Sequence, residues 1–384
     1  MEIEKKISQI LRNVSQGKRS RGAFAQLNSA VVRLNSGDPS FTTPLYIREA
    51  AFKAMNEGHT HYCPGLGDKE LRESICTSLQ QDYGVQRLPE EILITNGAAG
   101  AIFLTAVSFL EKGDEALVFD PSYSLYAVGV QAAGAKAVQV PLSPTFHYDE
   151  KELLQRITPK TKLIFLNNPN NPTATCFSRE DLDSIAMIAN KYDLWVVADE
   201  VYHKLVFEGR KHICASSIEG LKDRIILINS FSKSYAMTGW RIGYIAAPLE
   251  IIKVLVPLNR ALTGSVNTIS QRAALAALQG PQDCVREMQE EYERRRKIIY
   301  SLANQIERLQ CPLPEGAFYI FCKYEYKLTA EEMVNYLMEQ GVAVRSGTEF
   351  GKRGEKHIRI TFAASLEIIE RGMEKIAQAL KLLE

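Results

Sequence analysis

From about residue 90 onward, short runs of apolar, β-favouring residues punctuate the chain at 92–95, 116–119, 137–140, 163–166, 195–198, 225–228 and 244–246, with longer stretches of helical period between them. Runs that are apolar throughout, rather than alternating with polar positions, predict strands covered on both faces. Strands separated by helices predict a mostly parallel sheet. Upstream, Ile3, Ile7, Ile10, Leu11 and Val14 share one face at helical spacing, and the polar segment 16–22 ends that helix. Lys18, Arg19 and Arg21 in this segment read as a solvated turn. Residues 34–39, punctuated by Gly37 and Pro39, read as a loop. Beyond about residue 248 the pattern turns helical. The basic run Arg294, Arg295, Arg296 and Lys297 follows a cluster of acids and predicts a charged helix face with i,i+4 pairing. Further strands at 318–322, 342–344 and 358–361, with two helices, predict a smaller α+β lobe. The expected fold is therefore α/β. A large domain (41–284) holds a mostly parallel seven-stranded sheet between helices, and a small domain (285–384) is completed by an N-terminal arm (1–40).

Composition narrows the function classes. At 384 residues the chain is long enough for two or three units of ~150 residues. Forty-six basic against 45 acidic residues leave a formal charge of +1, which removes the electrostatic case for nucleic acid or an anionic membrane surface. No apolar stretch reaches the ~18 residues of a membrane span, and MEIEKKISQI is too charged for a signal sequence. The seven cysteines are scattered, without a C-x-x-C pair, and fit reduced thiols in a cytoplasm better than a disulfide framework or a zinc site.

In an α/β sheet the residues just beyond the carboxyl ends of the strands carry the chemistry. Four such places matter here. The run 225–228 leads into Ser230, Ser232 and Lys233, with Arg241 eight positions further on. A lysine held partly desolvated near cations has a lowered pKa and can form a Schiff base with an aldehyde, and the hydroxyls and the arginine suit a phosphate; a plain loop lysine is the alternative. The run 195–198 ends in Asp199, a metal ligand, a helix cap or the partner of a buried cation; no His or Cys cluster nearby in sequence favours metal. The run 163–166 ends in Asn167-Asn168-Pro169-Asn170-Asn171-Pro172, which is turn-forming and is followed by a helix capped by Ser178 with Asp181 three residues on. The run 92–95 leads to Gly97, Ala98, Ala99 and Gly100, small residues that let a helix N-terminus approach an anion.

Together these segments resemble the class I aminotransferases of fold type I, which use pyridoxal 5'-phosphate (PLP). The resemblance covers roughly residues 33–365. It rests on Ser230-x-Ser232-Lys233 with Gly239-x-Arg241-x-Gly243, on Asn168-Pro-Asn-Asn-Pro-Thr173 and on Asp199-Glu-Val-Tyr202. Leu34-Asn-Ser-Gly37-Asp-Pro39, Tyr62-Cys-Pro-Gly-Leu-Gly67, Pro314-Glu-Gly-Ala-Phe-Tyr319 and Ile358-Arg359-Ile-Thr-Phe-Ala363 add to it.

The resemblance implies a role for each matched residue. Lys233 holds the cofactor as a Schiff base and moves the substrate's Cα proton. Asp199 faces the pyridine nitrogen, Tyr202 and Asn171 bond the phenolate oxygen, and Tyr123 stacks on the ring. The N–H groups of Ala98 and Ala99, with Ser230, Ser232 and Arg241, cup the phosphate. Arg359 clamps the substrate α-carboxylate, and Gly37 lies in the loop that closes over the substrate. The site lies between two subunits of a homodimer, with Tyr62 reaching the partner's phosphate. An amino acid and a 2-oxo acid exchange an amino group in alternation. The chain departs from the family at Ala174, Gly100 and the Arg345-Ser346-Gly347 segment, and at Ala99, where the bacterial aspartate-specific branch carries a lysine for the second carboxylate. A neutral, aromatic or unusual donor is therefore expected rather than strictly aspartate, unless Arg19, Arg21 or Arg33 supplies a cation instead. β-Elimination, cyclisation or oxidation on the same fold is the alternative reaction, and a DNA-binding regulator is disfavoured by charge and length.

Overall fold

The computed structural model describes residues 31–383. The helix expected over 2–14 and the turn at Lys18, Arg19 and Arg21 lie outside them. The strands are β1 (Val32–Arg33), β2 (Ile92–Thr95), β3 (Glu115–Asp120), β4 (Lys136–Pro141), β5 (Thr161–Asn167), β6 (Trp195–Asp199), β7 (Ile225–Ser230), β8 (Gly243–Ala246), β9 (Leu309–Gln310), β10 (Tyr319–Tyr324), β11 (Val342–Ala343), β12 (Arg345–Ser346) and β13 (His357–Thr361). Seven form the large sheet in the order β2-β8-β7-β6-β5-β3-β4. Only β8 runs against its neighbours, between β2 and β7; β7, β6, β5, β3 and β4 pair in parallel.

The continuous apolar runs are buried on both faces, as their patterning predicts, except in the edge strand β4, where Ala137 and Val138 are only half-buried. One face of the sheet packs Ile94, Leu117, Ile164, Val196 and Leu227 into one core, and the other packs Leu93, Ala116, Phe165, Val197 and Ile226 into a second. Local signals set where the helices begin. Ser178 and Asp181 form a reciprocal capping box at Arg179–Lys191, and Asp68 caps Lys69–Tyr83, which ends on a left-handed Gly84.

A third core lies around an antiparallel sheet of order β12-β13-β10-β9 and includes Ile320, Ile358, Ile360 and Ile376. Residues 32–34 join it from the far end of the chain. β1 pairs in parallel with β11, the Leu34 amide donates to Ala343 O, and Leu34 O accepts from the Thr361 amide. This pairing, invisible to local patterning, holds the segment 35–38 across the carboxyl edge of the large sheet.

The basic run behaves differently from expectation. Arg294 and Lys297 pair on the surface with Glu291 and Glu293. Arg295 and Arg296, however, turn inward on the helix Asp283–Asn304. Arg295 pairs with Glu291 and donates to Ser40 Oγ and the Ala364 carbonyl, while Arg296 donates to the Pro314 carbonyl and pairs with Glu208. The period alone does not reveal that two of the four cations serve as internal ties between segments. Among the described residues, no helix is long and apolar enough to cross a membrane.

Candidate active site

Where β7 ends, Ser230 keeps an extended backbone and its Oγ accepts from the Ser232 amide at 3.2 Å, which starts the short helix Phe231–Ser234. Ser232 Oγ lies 2.9 Å from Ser230 Oγ. Arg241 adopts a left-handed conformation at the bend into β8 and donates to the Thr238 carbonyl at 2.9 Å. Its guanidinium lies against Gly97, the first residue of the helix Gly97–Phe109: a Cβ on Gly97 would sit 2.7 Å from Arg241 Nη2, and the residue has φ +68°. Both conditions favour glycine there. A helix N-terminus, two hydroxyls and an arginine thus converge on one cup, the donor set a phosphate dianion requires.

Asp199 ends β6 and is buried. Its Oδ2 accepts from the Tyr126 hydroxyl at 2.7 Å and its Oδ1 from the Val201 amide at 3.2 Å. No Lys, Arg or His of the described residues forms an ion pair with it. Burial therefore raises its pKa to about 6, against the lowering effect of the Tyr126 and Val201 hydrogen bonds. A buried carboxylate kept without a cation is costly, and it fits a site completed by a positively charged ligand atom.

At the end of β5, Asn167 donates to the Asp199 carbonyl at 2.9 Å and accepts the Asn171 amide at 2.8 Å. Asn171 Oδ1 in turn accepts from Arg359 Nη1 at 2.9 Å, and Arg359 Nη2 donates to the Asn35 carbonyl at 2.8 Å. The guanidinium lies between the rings of Tyr319 and Phe350, 4.2 and 4.8 Å from their centroids. It is buried, and its Nε has no hydrogen-bond partner among the described residues. A desolvated guanidinium that no carboxylate meets is suited to a carboxylate from outside. Tyr202 lies beside it, its hydroxyl 2.9 Å from that of Tyr319.

Lys233 projects into the same space and donates to the Gly37 carbonyl at 2.6 Å. Burial lowers its pKa to about 8; Asp38 acts in the opposite sense, and Arg359 and Arg241 reinforce the lowering. Gly37 passes so close to Tyr319 that a Cβ would overlap its hydroxyl. Apart from Gly97 and Tyr126, which stand behind the wall, these residues border one cavity of about 560 Å³.

The cavity brings together Gly37, Ala98, Ala99, Tyr123, Asn171, Asp199, Tyr202, Ser230, Ser232, Lys233, Arg241 and Arg359. Tyr62 stands apart, 91% exposed, in a hollow shared with His61 and Ser265. Several residues of the site escape the sequence reading. Tyr126, which holds Asp199, lies three residues beyond Tyr123 at the start of the helix Leu125–Ala132. Thr238, Glu349 and Phe350 carry no local signal and enter only through the fold, while Asp38 and Arg345 stand in segments singled out above but without a role assigned to them.

The residues fit PLP: a phosphate cup with a cradle that favours glycine, an unpaired buried carboxylate for the ring nitrogen, and a lysine of lowered basicity between them. The family profile of class I and II aminotransferases matches residues 29–376. The chain belongs to this family. It is 37% identical to an aspartate aminotransferase of Pyrococcus horikoshii over 357 residues, 91% of each chain. It is 36% identical to aromatic-amino-acid aminotransferase 2 of Thermococcus litoralis, over 93% of this chain and 94% of the relative. The solved aromatic aminotransferase of P. horikoshii superposes with a TM-score of 0.90 at 36% identity, covering 96% of this chain and 99% of that one. The chain is thus a PLP-dependent aminotransferase.

Proposed function

We propose that the enzyme moves an amino group from an L-amino acid, not restricted to aspartate, to a 2-oxo acid by a ping-pong mechanism, with Lys233 as the residue that tethers the cofactor. The observation that carries this reading is the convergence of Lys233, Asp199 and Arg359 on one cavity. When bound, PLP supplies an electron-accepting ring conjugated to the substrate nitrogen. The chain's own residues do the rest. Ser230, Ser232, Arg241 and the N–H groups of Ala98 and Ala99 hold the phosphate, with Tyr123 against the ring. Asp199 holds positive charge at the ring nitrogen, and Tyr126 positions Asp199. Tyr202 and Asn171 bond the ring oxygen. Arg359 orients the α-carboxylate with Asn171 as its second support, and Gly37 closes the loop above. Lys233 Nζ would take the proton from the substrate Cα and hold it for its return within the site. Donor breadth is supported by Ala99, whose methyl gives that wall no cation, and by relatives whose names span aspartate and aromatic amino acids.

The test is the visible spectrum of the holoenzyme during addition of single amino acids without oxo acid or oxygen. One equivalent of oxo acid per site, followed by arrest, is the expected result. Continued turnover would instead indicate a lyase, and dependence on air an oxidase.

The same reading makes the enzyme a homodimer with domains at 41–284 and 285–384 and an arm at 1–40, placed in a reducing cytoplasm that suits seven free cysteines. Tyr62, a large ring left in water within one chain, is the residue that reaches the partner's phosphate. Tyr62→Phe is expected to weaken PLP binding about tenfold, the worth of one charge-assisted hydrogen bond, without changing the sedimentation of the dimer. Unchanged PLP affinity would remove Tyr62 from the site.

A further inference from the structure

The cavity holds charges beyond those the cofactor and the α-carboxylate use. Among its described lining residues, Arg241 is matched to phosphate, Arg359 to the α-carboxylate, Asp199 to the ring nitrogen and Lys233 to the tether. Three charged groups remain: Asp38, Arg345 and Glu349. Two carboxylates against one guanidinium leave one negative charge.

Their bonding is uneven. Arg345 Nη1 donates to Glu349 Oε2 at 3.1 Å, and Arg345 Nε donates to the Asn35 carbonyl at 3.3 Å. Asp38 Oδ1 accepts from the Thr238 hydroxyl at 2.6 Å. Glu349 Oε1, by contrast, is out of contact with solvent and has no hydrogen-bond partner among the described residues. A carboxylate oxygen held in this way costs free energy unless a donor arrives from outside. Its position is set by the turn Gly347–Phe350, whose last residue, Phe350, packs against the Arg359 guanidinium. Glu349 therefore stands next to the residue whose ring packs on the Arg359 guanidinium, and it lines the same cavity as Arg359. Ala99, which lines the same cavity, offers nothing to a second carboxylate.

We propose that Glu349 determines substrate specificity by accepting a hydrogen bond from a cationic group at the far end of the donor's side chain, so that the preferred donor is a basic amino acid with an amino or guanidino terminus. The proposal rests on the aminotransferase reading above and names the substrate class within it. Arg345 holds Glu349 Oε2, so Oε1 is the oxygen of the carboxylate still without a donor among the described residues.

The test compares matched pairs on the holoenzyme: L-lysine with L-norleucine, and L-arginine with L-citrulline, each as kcat/KM for the first half-reaction and as Kd by calorimetry. At least one basic member is expected to exceed its neutral counterpart by tenfold or more. Glu349→Gln is expected to cut that ratio at least tenfold, chiefly in KM, since a distal contact made equally in ground and transition states acts on binding. Because the readout is a ratio within one protein, a variant that folds poorly does not imitate the result. Ratios near one in the wild type, or a ratio that Glu349→Gln leaves unchanged, would overturn the proposal, as would aspartate as the best donor. If no donor is converted but basic amino acids still bind in a Glu349-dependent way, the aminotransferase reading fails and the assignment of Glu349 stands.

Discussion

Replacing Lys233 with alanine is expected to lower amino-group transfer by at least about 10⁴-fold, the upper end of what one positioned proton-transfer group contributes. Lys233 Nζ is the cavity's one amine among the described residues, and it faces the Gly37 carbonyl, Asp199 and the two arginines at once. Tyr202 lies deep in the wall with its hydroxyl against Tyr319, and burial drives its pKa well above the ordinary range, so it stays protonated. No other lining group among the described residues offers a neutral base of suitable strength. The variant is expected to fold, because the side chain's hydrogen bond to Gly37 is replaceable by water and loss of a desolvated amine removes a cost. Small primary amines supplied in solution should restore part of the rate, more so as their basicity rises, which a purely structural role for Lys233 would not allow.

Burial also sets when Lys233 is ready. The neutral amine is the nucleophile, and a lysine lowered to about 8 is neutral in a substantial fraction near pH 7.5, where an ordinary lysine near 10.5 is almost wholly charged. The rate at which apoprotein captures PLP should therefore climb with pH and level off above about 8. Hydride reduction should then fix the cofactor to the peptide containing residue 233 in the wild type and leave Lys233→Ala unlabelled. Labelling of a different lysine would refute the assignment.

Much of this architecture is legible in the sequence because its signals are local. Apolar runs that do not alternate mark strands covered on both sides, and all seven large-sheet strands fall at or within a few residues of those runs. The order and direction of the strands carry no such local signal, and β8 reverses against its neighbours without a cue in its four residues. The strand-end groups Asn171, Asp199, Ser230 and Lys233 are legible for the same reason, since a polar residue ending an apolar run has to face somewhere other than the core. Glu349 is not legible, and Asp38, although it stands in the segment 34–39 that bears the resemblance, has no role legible in the sequence. They reach the cavity only because β1 pairs with β11 some 300 residues away in sequence, and because the turn after β12 folds over the carboxyl edge of the large sheet. Arg295 and Arg296 fail for a related reason: a charge pattern records spacing, whereas burial depends on which segment arrives above it.

Replacing Asp199 with asparagine is expected to separate activity from stability. Turnover should fall by about 10³-fold or more, since the amide cannot hold positive charge at the ring nitrogen although it still fills the space. The PLP-free protein should respond in the opposite direction. Burial raises the Asp199 pKa from an ordinary 3.8 to about 6, so at pH 7.5 folding forces a carboxylate to stay charged where water cannot reach it. The folded state binds a proton more readily than the unfolded chain between those two values. The penalty is therefore fully present above pH 6, shrinks as pH falls through that window, and is gone below about pH 4. Its size at neutral pH is at most about 3 kcal/mol. The substituted amide would keep the bond from the Val201 amide through its carbonyl oxygen and donate to Tyr126 Oη, although the Tyr126 proton then lacks its acceptor, which offsets part of the gain. Thermal melts of the two apoproteins should thus show Asp199→Asn ahead by a few degrees at pH 7.5, with the lead closing as pH drops toward 4. A variant that is less stable at every pH would show that the buried carboxylate is held by its hydrogen bonds at no cost. Adding PLP should reverse the order at pH 7.5, because only the wild type gains a partner for its buried charge.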